Sequence, residues 1–292
     1  MFKNVCFACS LTGPFVLAAI LVSLFVSSLP AWQAFGPGFL FSTDWDPVEL
    51  KFGAAPAIVG TFLTTAIALG IAVPMGFVTA LYVVDLPRWI GQPLSYGIDL
   101  LAAIPSVIYG LWGLFVLAPI MQNKALPFLT QTLGLKYIPF FGETFNGFGY
   151  FTAGLVLAIM ILPYICAVMR DVFLMTPPLL RESAYGLGCT RWETARDIVM
   201  RYGANGLIGG VLIGLGRALG ETMAVLFIVG NVIQIPTSVF DSGTTIAATL
   251  ANNFSEADGL MKSVLFALGL ILLVMSFAVQ AIAQRFLMKT NS

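Results

Sequence analysis

The sequence predicts an all-α membrane protein with six transmembrane helices, because it carries few charges and several long apolar stretches. Of its 292 residues, 59% are hydrophobic and 10% are charged, against about 25% charged in a soluble globular protein. The mean hydropathy is +0.94. Five stretches carry no charge, and each exceeds the roughly 20 apolar residues that a transmembrane helix needs. They are residues 4–43, 52–84, 100–123, 144–169 and 263–284.

The apolar stretches are continuous and do not alternate in segments of about ten residues, which argues against a β-barrel. We predict six spans, at residues 11–31, 56–84, 94–121, 149–170, 206–232 and 260–285. The first resembles a signal peptide, but its apolar stretch exceeds the usual 7–15 residues. It is therefore predicted to be a retained span. The fifth is the only span interrupted by two opposite charges, Arg217 and Glu221.

The distribution of lysine and arginine predicts which loops face the cytoplasm, because cytoplasmic loops are enriched in both residues. One side of the predicted topology holds nine cations: Lys3, Arg88, Arg170, Arg181, Arg191, Arg196, Arg201, Arg285 and Lys289. The other side holds Lys51, Lys124, Lys136 and Lys262. The excess places both termini in the cytoplasm, together with the polar loop at about residues 171–205.

The composition excludes several classes of function. The net charge is zero, which does not suggest nucleic acid as a partner, and the chain has no histidine. The commonest metal ligand and proton shuttle is therefore missing. Cys6 and Cys9 have the spacing of a metal or redox pair, but no second ligand pair accompanies them. We expect no metal and no cofactor.

A charged segment at residues 181–201 interrupts the apolar chain. Two prolines after Thr176 predict the start of a short helix, since threonine can cap a helix and proline fits its first turn. Gly188 is expected to end this helix in the left-handed conformation.

A second helix is predicted to begin in the same segment. Thr190 and Glu193 have the spacing of a capping box, in which each side chain bonds the backbone N–H of the other residue. This helix should run from Arg191 into the region of Tyr202. Two capped helices joined by a tight turn form a rigid elbow. One interpretation is an amphipathic connector that lies on the membrane surface.

The segment also resembles the EAA loop of importer-type ABC permeases, in which a glycine follows the glutamate by six residues and an isoleucine follows by ten more. The matching residues are Glu182, Ser183, Ala184, Gly188 and Ile198. In that family the loop docks into the cytoplasmic ATPase, so these five are the candidate coupling residues. Ser183 replaces the first alanine of the motif. Residues 200–201 replace its closing Leu-Pro, which leaves the second helix free to continue.

Four further segments resemble the PstC-type phosphate permeases. They are residues 52–61, 103–110, 216–224 and 242–247, and they read FGAAPAIVGT, AIPSVIYG, GRALGETMA and SGTTIA. The resemblance implies a type I ABC importer permease, with residues 1–292 as one transmembrane domain in the bacterial inner membrane. It also implies a PstA-type permease partner, a PstB-type ATPase dimer, a PstS-type periplasmic phosphate-binding protein, and inorganic phosphate as substrate.

The sequence leaves alternatives to this function open. The chain has no G-x-x-x-x-G-K-[ST] motif, so it does not bind ATP through a P-loop and is not expected to be the enzyme of the complex. A permease for another oxyanion, such as molybdate or sulfate, is one alternative. A secondary transporter driven by an ion gradient is another. A membrane-embedded enzyme is disfavoured, since no nucleophile and base can be paired.

Arg217 and Glu221 are the candidate residues of the translocation path. Their spacing predicts one helix face near mid-span. A charge at the bilayer centre costs about 2.5–3.5 kcal/mol on insertion scales, so both should face protein or water. They either neutralise each other and fix packing, or Arg217 offers its planar guanidinium to phosphate while Glu221 holds it. Asp99 is expected either to pair with a basic residue at the interface, such as Arg88, or to cap the start of a helix.

Small residues line the fifth span. Gly206, Gly210 and Gly214 recur every four residues and form one smooth face, and Gly216 with Gly220 forms a second. Such faces allow helices to approach closely in lipid. They are expected to pack against other spans of this chain or against the partner permease.

Overall fold

The computed structural model describes residues 2–132, 134, 140, 141 and 146–289. Lys136, assigned above to an outer loop, and the side chain of Lys289 lie outside this description. The described part contains six helices that are long and apolar enough to cross a membrane. The all-α, six-span prediction is therefore confirmed.

The described residues include ten α-helices, a short 3-10 helix at Gly36–Leu40 and one small hairpin. The helices are α1 Phe2–Phe35, α2 Ala55–Asp85, α3 Arg88–Ala103, α4 Ser106–Thr132, α5 Tyr150–Leu174, α6 Pro178–Gly186, α7 Arg191–Gly220, α8 Met223–Leu226, α9 Ile246–Asn253 and α10 Gly259–Lys289. Strands β1 Trp45–Asp46 and β2 Lys51–Phe52 pair antiparallel on the loop between α1 and α2.

The third span differs from its prediction. Residues 94–121 do not form one helix, because α3 ends at Ala103 and α4 begins at Ser106. Ile104 between them is extended, with φ −66° and ψ 129°. The residue before a proline is disfavoured in the helical region, so Pro105 explains the break. The spanning helix is α4, and α3 is a separate amphipathic helix.

The fifth span also differs from its prediction of residues 206–232. Helix α7 begins at Arg191 and continues through one π-helical stretch, Thr194–Val199, to Gly220. The second helix of the charged segment and the fifth span are therefore one helix. The absence of the proline that closes the EAA motif permits this continuation. After Gly220 the chain becomes extended, and only the four-residue α8 follows before a long loop.

Helix α5 is the centre of the fold. It packs against α2, α3 and α7, and most of its residues are buried. Gly206, Gly210 and Gly214 of α7 all face it: a Cβ atom on each would lie 2.5, 3.4 and 2.6 Å from the nearest side-chain atom of α5. The first glycine face therefore packs within the chain, as one of the two interpretations expected.

The second glycine face differs from the first. A Cβ on Gly216 would meet the side chain of Gln280 on α10, whereas a Cβ on Gly220 would meet nothing within 4 Å. Among the described residues, this face is therefore filled at Gly216 and open at Gly220.

The loop that follows α8 folds back onto the N-terminal parts of α2 and α5, where Thr61 and Tyr150 lie. The Ile246 backbone N–H donates to the Thr61 hydroxyl at 3.0 Å, and the Thr244 N–H donates to the Tyr150 hydroxyl at 3.2 Å. Tyr150 and the residues around Thr244 are fully buried. The segment at residues 242–247 thus covers the end of the fold at which α2 and α5 begin.

Candidate functional site

Arg217 is a partly buried charged residue among the membrane-spanning helices. It stands in the last turn of α7, and its guanidinium carbon lies 4.1 Å from the centroid of the Tyr164 ring. Its Nε atom is buried and has no hydrogen-bond partner in the described part of the chain. No carboxylate among those residues lies within ion-pair distance of it. Within the described part of the chain, the positive charge of Arg217 is therefore not neutralised by a carboxylate.

The position of Tyr164 along α5 gives the depth of this arginine. At 1.5 Å per residue, Tyr164 lies about 21 Å from the start of α5 at Tyr150 and about 15 Å from its end at Leu174. The hydrocarbon core of a bilayer is about 30 Å thick. Arg217 is thus near the middle of the membrane-spanning region, as the sequence predicted.

The predicted pairing of Arg217 with Glu221 is wrong. Helix α7 ends at Gly220, and Glu221 is extended, with φ −72° and ψ 129°, so the two side chains do not share a helix face. The Glu221 carboxylate accepts a hydrogen bond from the Ala224 N–H at 3.2 Å instead. It therefore caps the start of α8, and its charge is directed at backbone amides.

Two helix interruptions meet beside Arg217. One is the break between α3 and α4 at residues 104–105, and the other follows Gly220. The helices that follow the two breaks, α4 and α8, are in close contact, because a Cβ on Gly110 of α4 would lie 3.0 Å from the Met223 carbonyl oxygen. Non-helical backbone at membrane depth is tolerated only where it is buried in protein or lines a water-filled cavity. The site thus combines an unpaired cation with irregular backbone.

Two tyrosines that sequence reasoning missed belong to this site. The Tyr164 hydroxyl donates to the Ala102 carbonyl, and the Tyr109 hydroxyl donates to the Leu101 carbonyl at 2.9 Å. Both carbonyls belong to the end of α3. A tyrosine within an apolar span was the available signal, since a buried Tyr O–H usually has a hydrogen-bond partner.

Asp99 pairs with a basic residue, which is one of its two predicted roles, but the partner is Arg170 and not Arg88. Arg170 Nη1 lies 3.3 Å from Asp99 Oδ1, and Arg170 Nη2 lies 3.2 Å from Asp171 Oδ1. The predicted partner Arg88 is exposed at the first residue of α3. The ion pair joins α3 to the C-terminal part of α5.

The second candidate region is the coupling elbow, residues 178–201, formed by α6 and the start of α7. Gly188 has φ +89° and ends α6, as predicted. The Gly188 N–H donates to the Tyr185 carbonyl and the Cys189 N–H to the Ala184 carbonyl, which is the hydrogen-bond pattern of a Schellman motif. The turn between the two helices is therefore rigid.

The start of α7 in the elbow also follows the prediction. Thr190 Oγ1 accepts from the Glu193 N–H at 3.3 Å, and the Glu193 carboxylate accepts from the Thr190 N–H at 2.7 Å. The capping box is confirmed. The predicted threonine cap on α6 is wrong, because Pro177 occupies the cap position and the Thr176 hydroxyl is buried.

The predicted coupling residues lie on both sides of the elbow. Glu182, Ser183 and Gly188 are exposed, whereas Ala184 is buried and Ile198 is partly buried in the π-helical stretch of α7. Ala184 and Ile198 therefore pack inside the elbow. The other three residues face outward. Large apolar side chains share the outer surface: Leu187 is 87% exposed and Trp192 is 58% exposed. A guanidinium nitrogen of Arg181 donates to the Phe173 carbonyl and ties the elbow to the end of α5.

Comparison with known proteins gives the class of protein. Residues 72–288 match the family described as "Binding-protein-dependent transport system inner membrane component", and the chain belongs to this family. It is a multi-pass membrane subunit of an ABC transporter, it works with other components of that transporter, and it is not itself an enzyme.

The relatives narrow the class to one subunit type. The chain is 50% identical to "Phosphate transport system permease protein PstC" of Haemophilus influenzae, over 94% of this chain and 88% of the relative. It is 48% identical to the protein of the same name from Mesorhizobium japonicum, over 95% and 86%. A probable PstC of Methanocaldococcus jannaschii is 33% identical, over 92% and 87%.

Solved structures show the same fold at low sequence identity. The bacterial alginate ABC transporter matches with a TM-score of 0.65 and 14% identity, over 99% of this chain and 95% of that chain. The MetNI methionine ABC transporter, in an inward facing conformation, matches with a TM-score of 0.54 and 16% identity, over 82% and 94%. These likenesses confirm the importer-permease architecture.

Proposed function

We propose that this chain is the permease subunit of an ATP-driven phosphate importer and forms half of the translocation path. The observation that carries the proposal is Arg217, a cation at mid-membrane depth with no carboxylate within ion-pair distance among the described residues. An unpaired cation at that depth is costly. A passing anion would offset this cost. The similarity to phosphate transport permeases makes phosphate the anion of choice.

The chemistry of arginine suits a transient phosphate contact. A guanidinium offers a planar set of N–H donors that matches two phosphate oxygens, and it keeps its charge at any physiological pH. In this proposal Arg217 contacts the anion, and Glu221 belongs to the path by fixing the helix break beside it. The carboxylate is occupied by a backbone amide, so it does not compete for the guanidinium.

The coupling elbow supports the ATP-driven part of the proposal. Its exposed face, with Glu182, Ser183 and Leu187, would dock into a PstB-type ATPase dimer in the cytoplasm. The hydrogen bond from Arg181 to Phe173 and the continuity of α7 from Arg191 to Gly220 then link ATPase movement to α5 and to the Arg217 site.

The remaining partners and the orientation complete the proposal. A PstA-type permease would supply the other half of the path, and a PstS-type binding protein would deliver phosphate from outside. Residues 1–292 would act as one permease domain in the bacterial inner membrane. Both termini and the coupling loop, about residues 171–205, would face the cytoplasm, in accordance with the excess of cations on that side.

Substitution of Arg217 tests the path directly. We expect Arg217→Gln to abolish phosphate uptake by the reconstituted complex, since the amide retains polar atoms but loses the charge. Co-purification of the ATPase should be unchanged, because Arg217 lies far from the elbow along α7. Arg88→Gln, at an exposed position, is the matched control and should transport normally. Normal uptake by Arg217→Gln would refute the path role.

Two measurements distinguish the alternative functions from a phosphate importer. Competition by molybdate or sulfate at concentrations comparable to phosphate would identify another oxyanion as the substrate. Uptake driven by an ion gradient in the absence of ATP and of any co-purifying ATPase would identify a secondary transporter.

A further inference from the structure

We infer that Tyr164 is a positioning residue for Arg217, with its ring holding the guanidinium and its hydroxyl fixing the ring. The inference rests on the proposed function, in which Arg217 contacts the transported anion. It adds a residue on α5 that none of the motifs in the sequence indicated.

Among the described residues, the guanidinium of Arg217 packs against the ring of Tyr164. The Arg217 Cζ atom lies over the ring at 4.1 Å from its centroid, well inside the range of about 6 Å in which a cation is attracted to an aromatic face. The Nε atom of the same arginine is buried without a hydrogen-bond partner in the described residues. A flexible arginine thus obtains a fixed orientation from a ring face, and its N–H donors are not consumed by another side chain.

The ring is fixed at both of its ends. Its backbone belongs to α5, the central and most buried span, between the buried residues Pro163 and Ile165. Its hydroxyl donates to the Ala102 carbonyl at the end of α3. The last four carbonyls of a helix have no intrahelical partner. The break after Ala103 therefore provides the acceptor that holds the tyrosine.

Tyr109 repeats only half of this arrangement. Its hydroxyl donates to the neighbouring Leu101 carbonyl, which also accepts from the Ile104 N–H, and it lies near the charge of Arg217. The ring over which the guanidinium lies is nevertheless that of Tyr164. The two functions of Tyr164, ring contact and hydroxyl anchoring, can therefore be separated by substitution.

The experiment measures two rates in the complete transporter reconstituted in proteoliposomes: phosphate uptake and ATP hydrolysis stimulated by the phosphate-loaded binding protein. We expect Tyr164→Leu to lower uptake about tenfold while ATP hydrolysis stays within about twofold of the parent, since the elbow is intact and the arginine is displaced. Tyr164→Met, which is closer in volume, should behave in the same way. Tyr164→Phe keeps the ring and should keep uptake within about threefold.

The test includes a control variant and three outcomes that would contradict the inference. Tyr96→Leu makes the same change at an exposed position of α3 and should leave both rates unchanged. Three results would overturn the inference: normal uptake in Tyr164→Leu and Tyr164→Met, impairment of Tyr164→Phe as severe as that of Tyr164→Leu, or a parallel fall of uptake and ATP hydrolysis, which indicates a structural role. Normal uptake by Arg217→Gln would instead refute the proposed function itself.

Discussion

Single glycines in α7 show how much one methyl group decides in this protein. A Cβ on Gly206 would lie 2.5 and 3.1 Å from the two Cγ atoms of Val172, and Val172 is β-branched and has little rotamer freedom in a helix. Gly209, one turn further along, has nothing within 4 Å of the same position. The two glycines look alike in the sequence, but they serve different purposes in the fold.

This contrast predicts opposite signs for the same substitution. Gly206→Ala should destabilise the chain by about 1–3 kcal/mol, the usual cost of overpacking a filled interface. Gly209→Ala should stabilise it by roughly 0.5–1 kcal/mol, because alanine loses less backbone entropy than glycine in a helix.

The apparent melting temperature of the purified complex, recorded at one scan rate, measures both effects. Gly206→Ala should lower it and Gly209→Ala should raise it, so each variant serves as the control for the other. Equal shifts in the same direction would contradict the close contact of α7 with α5 at Val172.

At the scale of whole helices, the structure depends on how each helix begins and ends. The elbow is a rigid unit because α6 ends in a Schellman motif at Gly188 and α7 begins with a capping box at Thr190. The α3–α4 break and the α7–α8 break place irregular backbone beside Arg217. Both kinds of end follow from local chemistry: caps satisfy free N–H and C=O groups, and Pro105 prevents Ile104 from continuing the helix.

The capping box gives a prediction at this scale. Thr190→Ala should cost the first turn of α7 about 1 kcal/mol, so that its amides open roughly five times more often. Hydrogen exchange of the Glu193 and Thr194 amides, which donate to the Thr190 hydroxyl and carbonyl, measures this opening in the purified complex. Thr190→Ser keeps the accepting oxygen and should exchange like the parent, whereas unchanged exchange in the alanine variant would show that packing alone holds the turn.

The whole molecule is organised around α5, which joins the two candidate regions. Its end at Phe173 accepts a hydrogen bond from Arg181 of the elbow, and its midpoint carries Tyr164 under Arg217. Under the proposed function, a displacement of the elbow would be transmitted along α5 and α7 to mid-membrane depth. This arrangement suits a subunit that moves in response to an ATPase and hydrolyses nothing itself.

The outer surface of the elbow gives a prediction for the complex. Leu187 is 87% exposed, so Leu187→Asp should leave the fold of the chain unchanged while placing a charge in an apolar contact. We expect the ATPase to be lost from the purified complex and uptake to stop. Val48→Asp, 91% exposed on the loop between α1 and α2, is the control and should retain the ATPase. Retention by both variants would place the dock elsewhere.

The sequence by itself determined the six-span class, the position of the polar segment, the glycine that ends α6 and the capping box that begins α7. These features depend on hydrophobicity and backbone propensity over a few neighbouring residues, which a sequence displays directly. The five candidate coupling residues were identified by resemblance to the EAA loop and not by local propensity, and their role remains a prediction.

Only the tertiary structure decided what the charged residues at membrane depth contact. Glu221 bonds Ala224 because the helix ends first, Asp99 pairs with Arg170 on another span, and Arg217 lies on the ring of Tyr164. The last two contacts join residues far apart in the chain, and no local spacing encodes which helix faces meet. Packing around α5 fixes them, and it thereby determines where Arg217 stands at mid-membrane depth.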